Sequence, residues 1–237
     1  PALSQACAKA DQVVGIYIVT FKQWEEHNDS PNKIAFWFRS LIELQKDLHK
    51  LNIPLCILKC DTYDDCPQKI LEFASANEIN NLYFNIEYPV NELKRDEQVQ
   101  AVLEKMGTSC FSFHDQVIHV PGTLKTKAGT NFSVYSPFKR CWLAELDYAL
   151  LEEHAIPTIK QPVSVNQQDE YDLHSYKQSN INQDLWPVGE ESIQKMIVNF
   201  LDRKGSDYKT DRNFPGLTAT SMMSAYINSG GVSSNWC

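Results

Sequence analysis

The chain has 237 residues, 43% of them apolar and 22% charged, which is the composition of a folded globular protein and not of a disordered one. Its 22 Lys and Arg stand against 30 Asp and Glu, a formal net charge of −8. That balance disfavours non-specific binding of a polyanion but leaves room for a local basic patch. No apolar run approaches the ~20 residues needed to cross a bilayer. No basic leader with an apolar stretch is visible, so a cytoplasmic protein without a membrane anchor is expected.

Seven cysteines lie at 7, 56, 60, 66, 110, 141 and 237, with no C-x-x-C pair among them. They read as small buried hydrophobes of a reducing compartment. Cys56, Cys60 and Cys66 lack a histidine at zinc-finger spacing, so no metal is expected. The chain opens on Pro1 rather than Met and stops at Cys237 shortly after a Gly-Gly pair. Both ends are expected to be cut points of a longer protein.

In chain order, Ala2 to Ala10 reads as a helix with no strand before it. Val13 to Thr20 (VVGIYIVT) is β-branched and almost wholly apolar, the pattern of a strand covered on both faces. Asp29-Ser30-Pro31 opens a helix with a capping side chain and a proline at its first position. Ile34, Trp37, Leu41, Leu44 and Leu48 then repeat at spacings of three and four to about Leu51, which is one apolar helix face. Pro54 to Cys60 is a second strand, with Cys56 and Cys60 on one buried side. Asp65-Cys66-Pro67 starts a helix that turns Ile70, Leu71 and Ala74 inward. Leu82 to Ile86 is a third strand, followed by a polar segment from Glu87 to Asp96. The helix through Val99, Val102, Leu103 and Met106 stops at Gly107, where a left-handed residue is wanted. Thr108 to Phe113 is a fourth strand, with Gln116 to Val120 as a candidate extension of the sheet. Alternation of this kind implies a doubly wound α/β domain over residues 1–120 with a parallel sheet.

The character changes after Pro121. Residues 121–140 contain Lys125, Lys127, Lys139 and Arg140 but no acidic residue. Pro137 to His154 reads as a helix, and Pro157 to Asn182 as a long polar connector of the kind that joins domains. Residues 121–185 thus form a basic loop, a helix and an interdomain connector. An amphipathic helix starts after Gly189 (Ile193, Met196, Ile197, Phe200, Leu201), and 186–237 reads as the beginning of a helical domain. No internal repeat, G-x-G-x-x-G, Walker-type loop or G-x-S-x-G elbow is present, so no local motif announces a nucleotide phosphate site or a covalent nucleophile.

Three constellations are candidates for chemistry. Asn91 and Glu92 lie past the carboxyl end of a strand, where ligands of doubly wound sheets bind. They present an amide and a carboxylate to the edge of a planar heterocycle, or else Asn91 caps a helix and Glu92 and Asp96 complement its dipole. Tyr135 to Trp142 interleaves basic and aromatic residues, which suits nucleic acid or an ordinary surface helix with an apolar underside. Tyr208 to Pro215, with Thr220, Ser221, Met222, Met223 and Ser224, offers hydroxyls and amides for phosphate, or simply an N-cap.

The run Asp29 to Trp37, the Asn91-Glu92-x-x-Arg95-Asp96 segment and Tyr135 to Arg140 resemble, in order and spacing, the class I DNA photolyases. So do Trp186-Pro187-Val188-Gly189-Glu190, the pair Tyr208 and Arg212 with Pro215, and Thr220-Ser221-x-x-Ser224. The resemblance implies light-driven splitting of cyclobutane pyrimidine dimers in damaged DNA by excited reduced FAD, with an antenna pigment on the α/β domain and FAD on the helical one. It implies that Asn91 and Glu92 hold 5,10-methenyltetrahydrofolate, that Tyr208 and residues 220 to 224 hold FAD, and that Arg212 meets the DNA backbone. Met223 stands where many members have Leu, a volume-conserving exchange. The resemblance assigns no catalytic side chain here, because the hard chemistry belongs to the flavin. It also implies a monomer, a first strand of the W-F-R-x-D-L-R type ahead of Pro1, and about as many residues again after Cys237. The chain alone is therefore expected not to repair DNA. A cryptochrome-type photoreceptor that signals through protein partners is the alternative.

Overall fold

The computed structural model describes residues 1–147, 155–167, 170–177 and 180–233. Nine α-helices and four strands are found among them. The α/β part runs α1 (Ala2–Lys9), β1 (Gly15–Thr20), α2 (Phe21–Glu26), α3 (Pro31–Lys50), β2 (Leu55–Cys60), α4 (Cys66–Ala76), β3 (Asn81–Asn85), α5 (Val90–Met106) and β4 (Ser109–Phe113). The remainder holds α6 (Tyr135–Ala144), α7 (Glu190–Lys204), α8 (Tyr208–Asp211) and α9 (Ser224–Asn228).

Local chemistry sets several boundaries where the sequence places them. Ser30 accepts the backbone N–H of Lys33 at 3.2 Å and Pro31 starts α3. Gly107 ends α5 at φ +93°, a conformation in which a side chain would be strained. Thr62 and Asp65 form a reciprocal capping box around a 3₁₀ turn at Tyr63–Asp65, just before α4.

All strand pairing among the described residues is parallel. β1 lies beside β2 with Gly15 opposite Leu55 and Thr20 opposite Cys60, and β3 lies beside β4 with Asn81 opposite Ser109 and Asn85 opposite Phe113. Helices cover both faces, as a doubly wound arrangement requires. On one face, α2 and α3 bring Trp24, Ile34, Phe38 and Leu41 against Val19 and Ile57, while α1 places Cys7 beside Leu48. On the other, Ile70 and Ala74 of α4 and Val99 and Leu103 of α5 meet Ile16, Ile18, Leu82 and Cys110. Cys56 and Leu58 pack with Phe73 on that same side.

The two strand pairs are separate sheets among the described residues. The second edges of β1 and β3 border one large cavity, lined by Ile16, Tyr17 and Ile18 on one side and Leu82, Tyr83 and Phe84 on the other.

Several sequence expectations are corrected. Gln116 to Val120 adds no strand, because it has no backbone partner in either sheet. The polar segment Glu87 to Asp96 divides at Val90, where α5 begins and carries Asn91, Glu92, Arg95 and Asp96 on its first turns. Asn91 makes no cap bond, and Pro89 occupies the cap position. The helix expected from Pro137 to His154 begins at Tyr135 and ends at Ala144, and none of its residues is buried to hold it longer. Residues 148–154 of that expectation lie outside the described residues, as does Cys237.

The connector is tied along the α/β part. Lys160 N–H donates to the Leu51 carbonyl, Gln161 N–H to Asp11 and Tyr171 N–H to Ile57. Tyr171 and Tyr176 join Phe21, Trp24 and Phe38 in one aromatic cluster, with Phe38 centroids 5.3 Å from Tyr176 and 5.7 Å from Tyr171. Beyond it, Ile193, Ile197 and Tyr226 pack on Phe36 of α3. The Tyr226 hydroxyl donates to the Pro187 carbonyl at 3.0 Å, and Arg39 Nη1 donates to the Trp186 carbonyl at 2.8 Å. No described helix is long and apolar enough to cross a membrane.

Candidate ligand cleft

Parallel strands direct their carboxyl ends to one rim of the sheet, and the connections leaving those ends line the rim. Here three such connections converge. After β1, α2 delivers His27; after β2, the 3₁₀ turn delivers Tyr63; after β3, Glu87 and the first turns of α5 deliver Asn91, Glu92, Arg95 and Asp96. Of these, His27, Tyr63, Glu87, Glu92, Arg95 and Asp96 border a cavity of ≈ 1330 Å³ that runs on along the free edges of β1 and β3, and Asn91 is not among its lining residues.

The polar groups on this rim are organised around Arg95. Its Nη2 donates to Glu87 Oε2 at 2.8 Å and to Asp96 Oδ1 at 2.7 Å, and its Nε donates to Asp96 Oδ1 at 2.8 Å. The guanidinium lies 5.0 Å from the Tyr63 ring centroid, within cation–π range. Tyr63 in turn donates its hydroxyl to Glu92 Oε1 at 3.2 Å. His27 meets the Tyr63 ring edge-on at 6.1 Å. The side-chain amides of Asn91 and Gln23 both lie within hydrogen-bond reach of His27 Nε2, at 3.4 and 3.1 Å. Gln23 Oε1 accepts the Tyr63 backbone N–H at 3.2 Å.

The site is electrostatically tense. Burial raises the affinity of Tyr63 for its proton, with Glu92 adding to the effect and Arg95 opposing it. The phenol is therefore a donor at any ordinary pH. Burial also pushes Asp96 upward against the pull of Arg95, and its Oδ2 is buried without a partner among the described residues. Glu92 has one oxygen, Oε1, held by Tyr63, which leaves Oε2 for a ligand. A carboxylate on this rim can accept from the N–H groups on the edge of a heterocycle.

Of the residues singled out from sequence, Asn91 and Glu92 fall here. His27 and Tyr63 carry no motif and are not marked by the sequence; their placement directly after the carboxyl ends of β1 and β2 is the signal that could have found them. Thr220, Ser221 and Met222 border a different cavity, ≈ 470 Å³, with Leu185, Lys195 and Phe200. Ser221 Oγ accepts the Met223 N–H at 3.4 Å, and Met222 is held at φ +57°. Met223 packs into the Tyr226 cluster, and Ser224 begins α9. Tyr208 does not border that cavity: it is exposed, edge-on to Phe200 at 5.9 Å, with Arg212 over its ring at 5.6 Å. Lys139 and Arg140 stand exposed on α6. No metal-holding cluster of His, Cys, Asp or Glu occurs among the described residues.

A family model described as DNA photolyase matches residues 1–161. A deoxyribodipyrimidine photo-lyase from Buchnera aphidicola is 32% identical over 241 residues, covering 100% of this chain and 49% of that protein. One from Escherichia coli is 30% identical over 237 residues, covering 100% of this chain and 50% of its own length. The chain thus spans about half the length of the curated relatives it matches. Among solved structures, a class III photolyase from Agrobacterium tumefaciens has a TM-score of 0.77 at 23% identity, over 98% of this chain and 48% of that one. A Synechocystis cryptochrome reaches 0.79 at 16% identity, over 99% of this chain and 50% of its own. These two likenesses establish a shared fold, and with the match over residues 1–161 the chain belongs to the DNA photolyase family.

Proposed function

We propose that this chain is the antenna-bearing half of a deoxyribodipyrimidine photo-lyase that repairs cyclobutane pyrimidine dimers in DNA. The observation that carries the reading is Glu92, which accepts from Tyr63 through Oε1 and borders the cleft at the carboxyl ends of the strands. Relatives named deoxyribodipyrimidine photo-lyase cover all of the chain, which favours a repair enzyme over a cryptochrome-type receptor of the same fold.

Residues 1–120 form the pigment-binding domain in this reading. Residues 121–185 form the connecting part, and residues 186–237 open the FAD-binding domain. Bound flavin supplies the electron that opens the dimer, and a bound folate pigment supplies captured light. The chain's own work is recognition and placement. Glu92 and Asn91 hold 5,10-methenyltetrahydrofolate by its polar edge, and His27 orients Asn91. Thr220 and Ser221 contribute hydroxyls and backbone amides toward the FAD phosphates, with Met222, Met223 and Ser224 in the same segment, and Tyr208, which stands outside that cavity beside Phe200, touches the flavin. Arg212 is exposed and serves a DNA phosphate. The protein works as a monomer in the cytoplasm, and this chain by itself, holding part of the FAD pocket, does not repair DNA.

The test is pigment content. Purified protein carrying Glu92→Ala is expected to lose most of its bound folate and its near-UV absorbance while keeping its FAD. Folate content equal to that of the unmodified protein would remove Glu92 from the site.

A further inference from the structure

Tyr63 has no role in the proposed function, yet its placement is over-determined. The capping box fixes its turn: the Thr62 N–H and hydroxyl both donate to Asp65 Oδ2, at 2.9 and 3.0 Å. Its backbone N–H is tied to Gln23. Arg95, itself clamped by Glu87 and Asp96, lies against the ring, and His27 meets the ring edge-on. A phenol held on so many sides can put its hydroxyl in one place, and that place is Glu92 Oε1.

We infer that Tyr63 is a positioning residue for pigment recognition: its hydroxyl fixes the Glu92 carboxylate so that Oε2 faces the cleft, ready for the N–H groups of a pterin-like edge. This rests on the folate reading of the cleft. Glu92 sits at the start of α5, and its side chain is only partly buried. Without Tyr63 its three side-chain torsions are free, and binding a ligand would have to freeze them. A hydrogen bond to a charged acceptor is among the stronger ones. The ring alone does not supply it, so the inference distinguishes tyrosine from phenylalanine at this position.

The experiment is a fluorescence titration of the FAD-loaded protein with 5,10-methenyltetrahydrofolate for Tyr63→Phe, Glu92→Ala and the double variant. Phenylalanine keeps the ring beside Arg95 and His27, so thermal stability and FAD content are expected to stay near those of the unmodified protein. Folate affinity is expected to fall roughly two- to tenfold in Tyr63→Phe, the cost of freezing one side chain that Tyr63 otherwise holds in place. Because Tyr63 acts through Glu92, the double variant is expected to bind no more weakly than Glu92→Ala alone. Unchanged affinity in Tyr63→Phe beside a clear loss in Glu92→Ala would overturn the inference and leave the folate site standing. Additive losses would also overturn it, by placing Tyr63 against the ligand itself. Unchanged affinity in Glu92→Ala would remove the site and the inference together.

Discussion

Glu92 and Phe38 mark the two kinds of residue on which this molecule depends. In the proposed reading Glu92 serves a ligand, whereas Phe38 serves the fold: it is 2% exposed and packs against Phe21, Trp24, Tyr171 and Tyr176. Phe38→Ala is expected to cost about 3–5 kcal/mol of stability, the usual penalty for emptying such a position, measured as a lower urea midpoint with an unchanged slope. A loss under about 1 kcal/mol would mean that the cluster collapses into the space. Residues governed by near neighbours are legible in the sequence. Ser30 and Gly107 act within one helical turn, and both behave as their types dictate. His27 and Tyr63 are not legible, because their partners lie 64 and 29 positions away. Nothing local marks a tyrosine that will meet a distant carboxylate.

Among the elements, the strands are legible to within one or two residues because β-branched and apolar runs have no other comfortable solution. α2 escapes notice: at six residues it is too short to display a period, and it comes directly after β1 without a turn residue between them. The start of α5 is legible only as one of two readings of Asn91 and Glu92, since Val99 and Leu103, its buried residues, lie farther along the helix. Separation of the sheet into β1–β2 and β3–β4 cannot be read from alternation, which counts strands but not their neighbours. That separation has a measurable consequence. Amides of β1 and β3 that point into the cavity are expected to exchange with deuterium on the order of a hundredfold or more faster than those bonded to β2 and β4. Equal protection on both edges would contradict the observed pairing.

For the whole molecule, charge is distributed by role. Residues 1–120 carry 11 basic and 17 acidic side chains, whereas residues 121–140 carry four basic and no acidic ones. The acidity that speaks against nucleic acid in the bulk composition therefore belongs mainly to residues 1–120, which in the proposed reading bear the pigment and need not approach DNA. The connector is fastened to this domain by backbone bonds at Leu51, Asp11 and Ile57, and α7 and α9 close on Phe36. The polar stretch itself is legible in the sequence. Its course along the surface is not, because single backbone bonds leave no periodic trace.

The most direct test of the central claim is light-dependent repair. Full-length, FAD-loaded protein is incubated with thymine-dimer DNA and illuminated in the folate absorption band. The expected result is dimer reversal in light and none in darkness, with Glu92→Ala slowing repair at near-UV wavelengths while leaving direct flavin excitation intact. Persistent dimers under illumination by folded, FAD-containing protein would contradict the account.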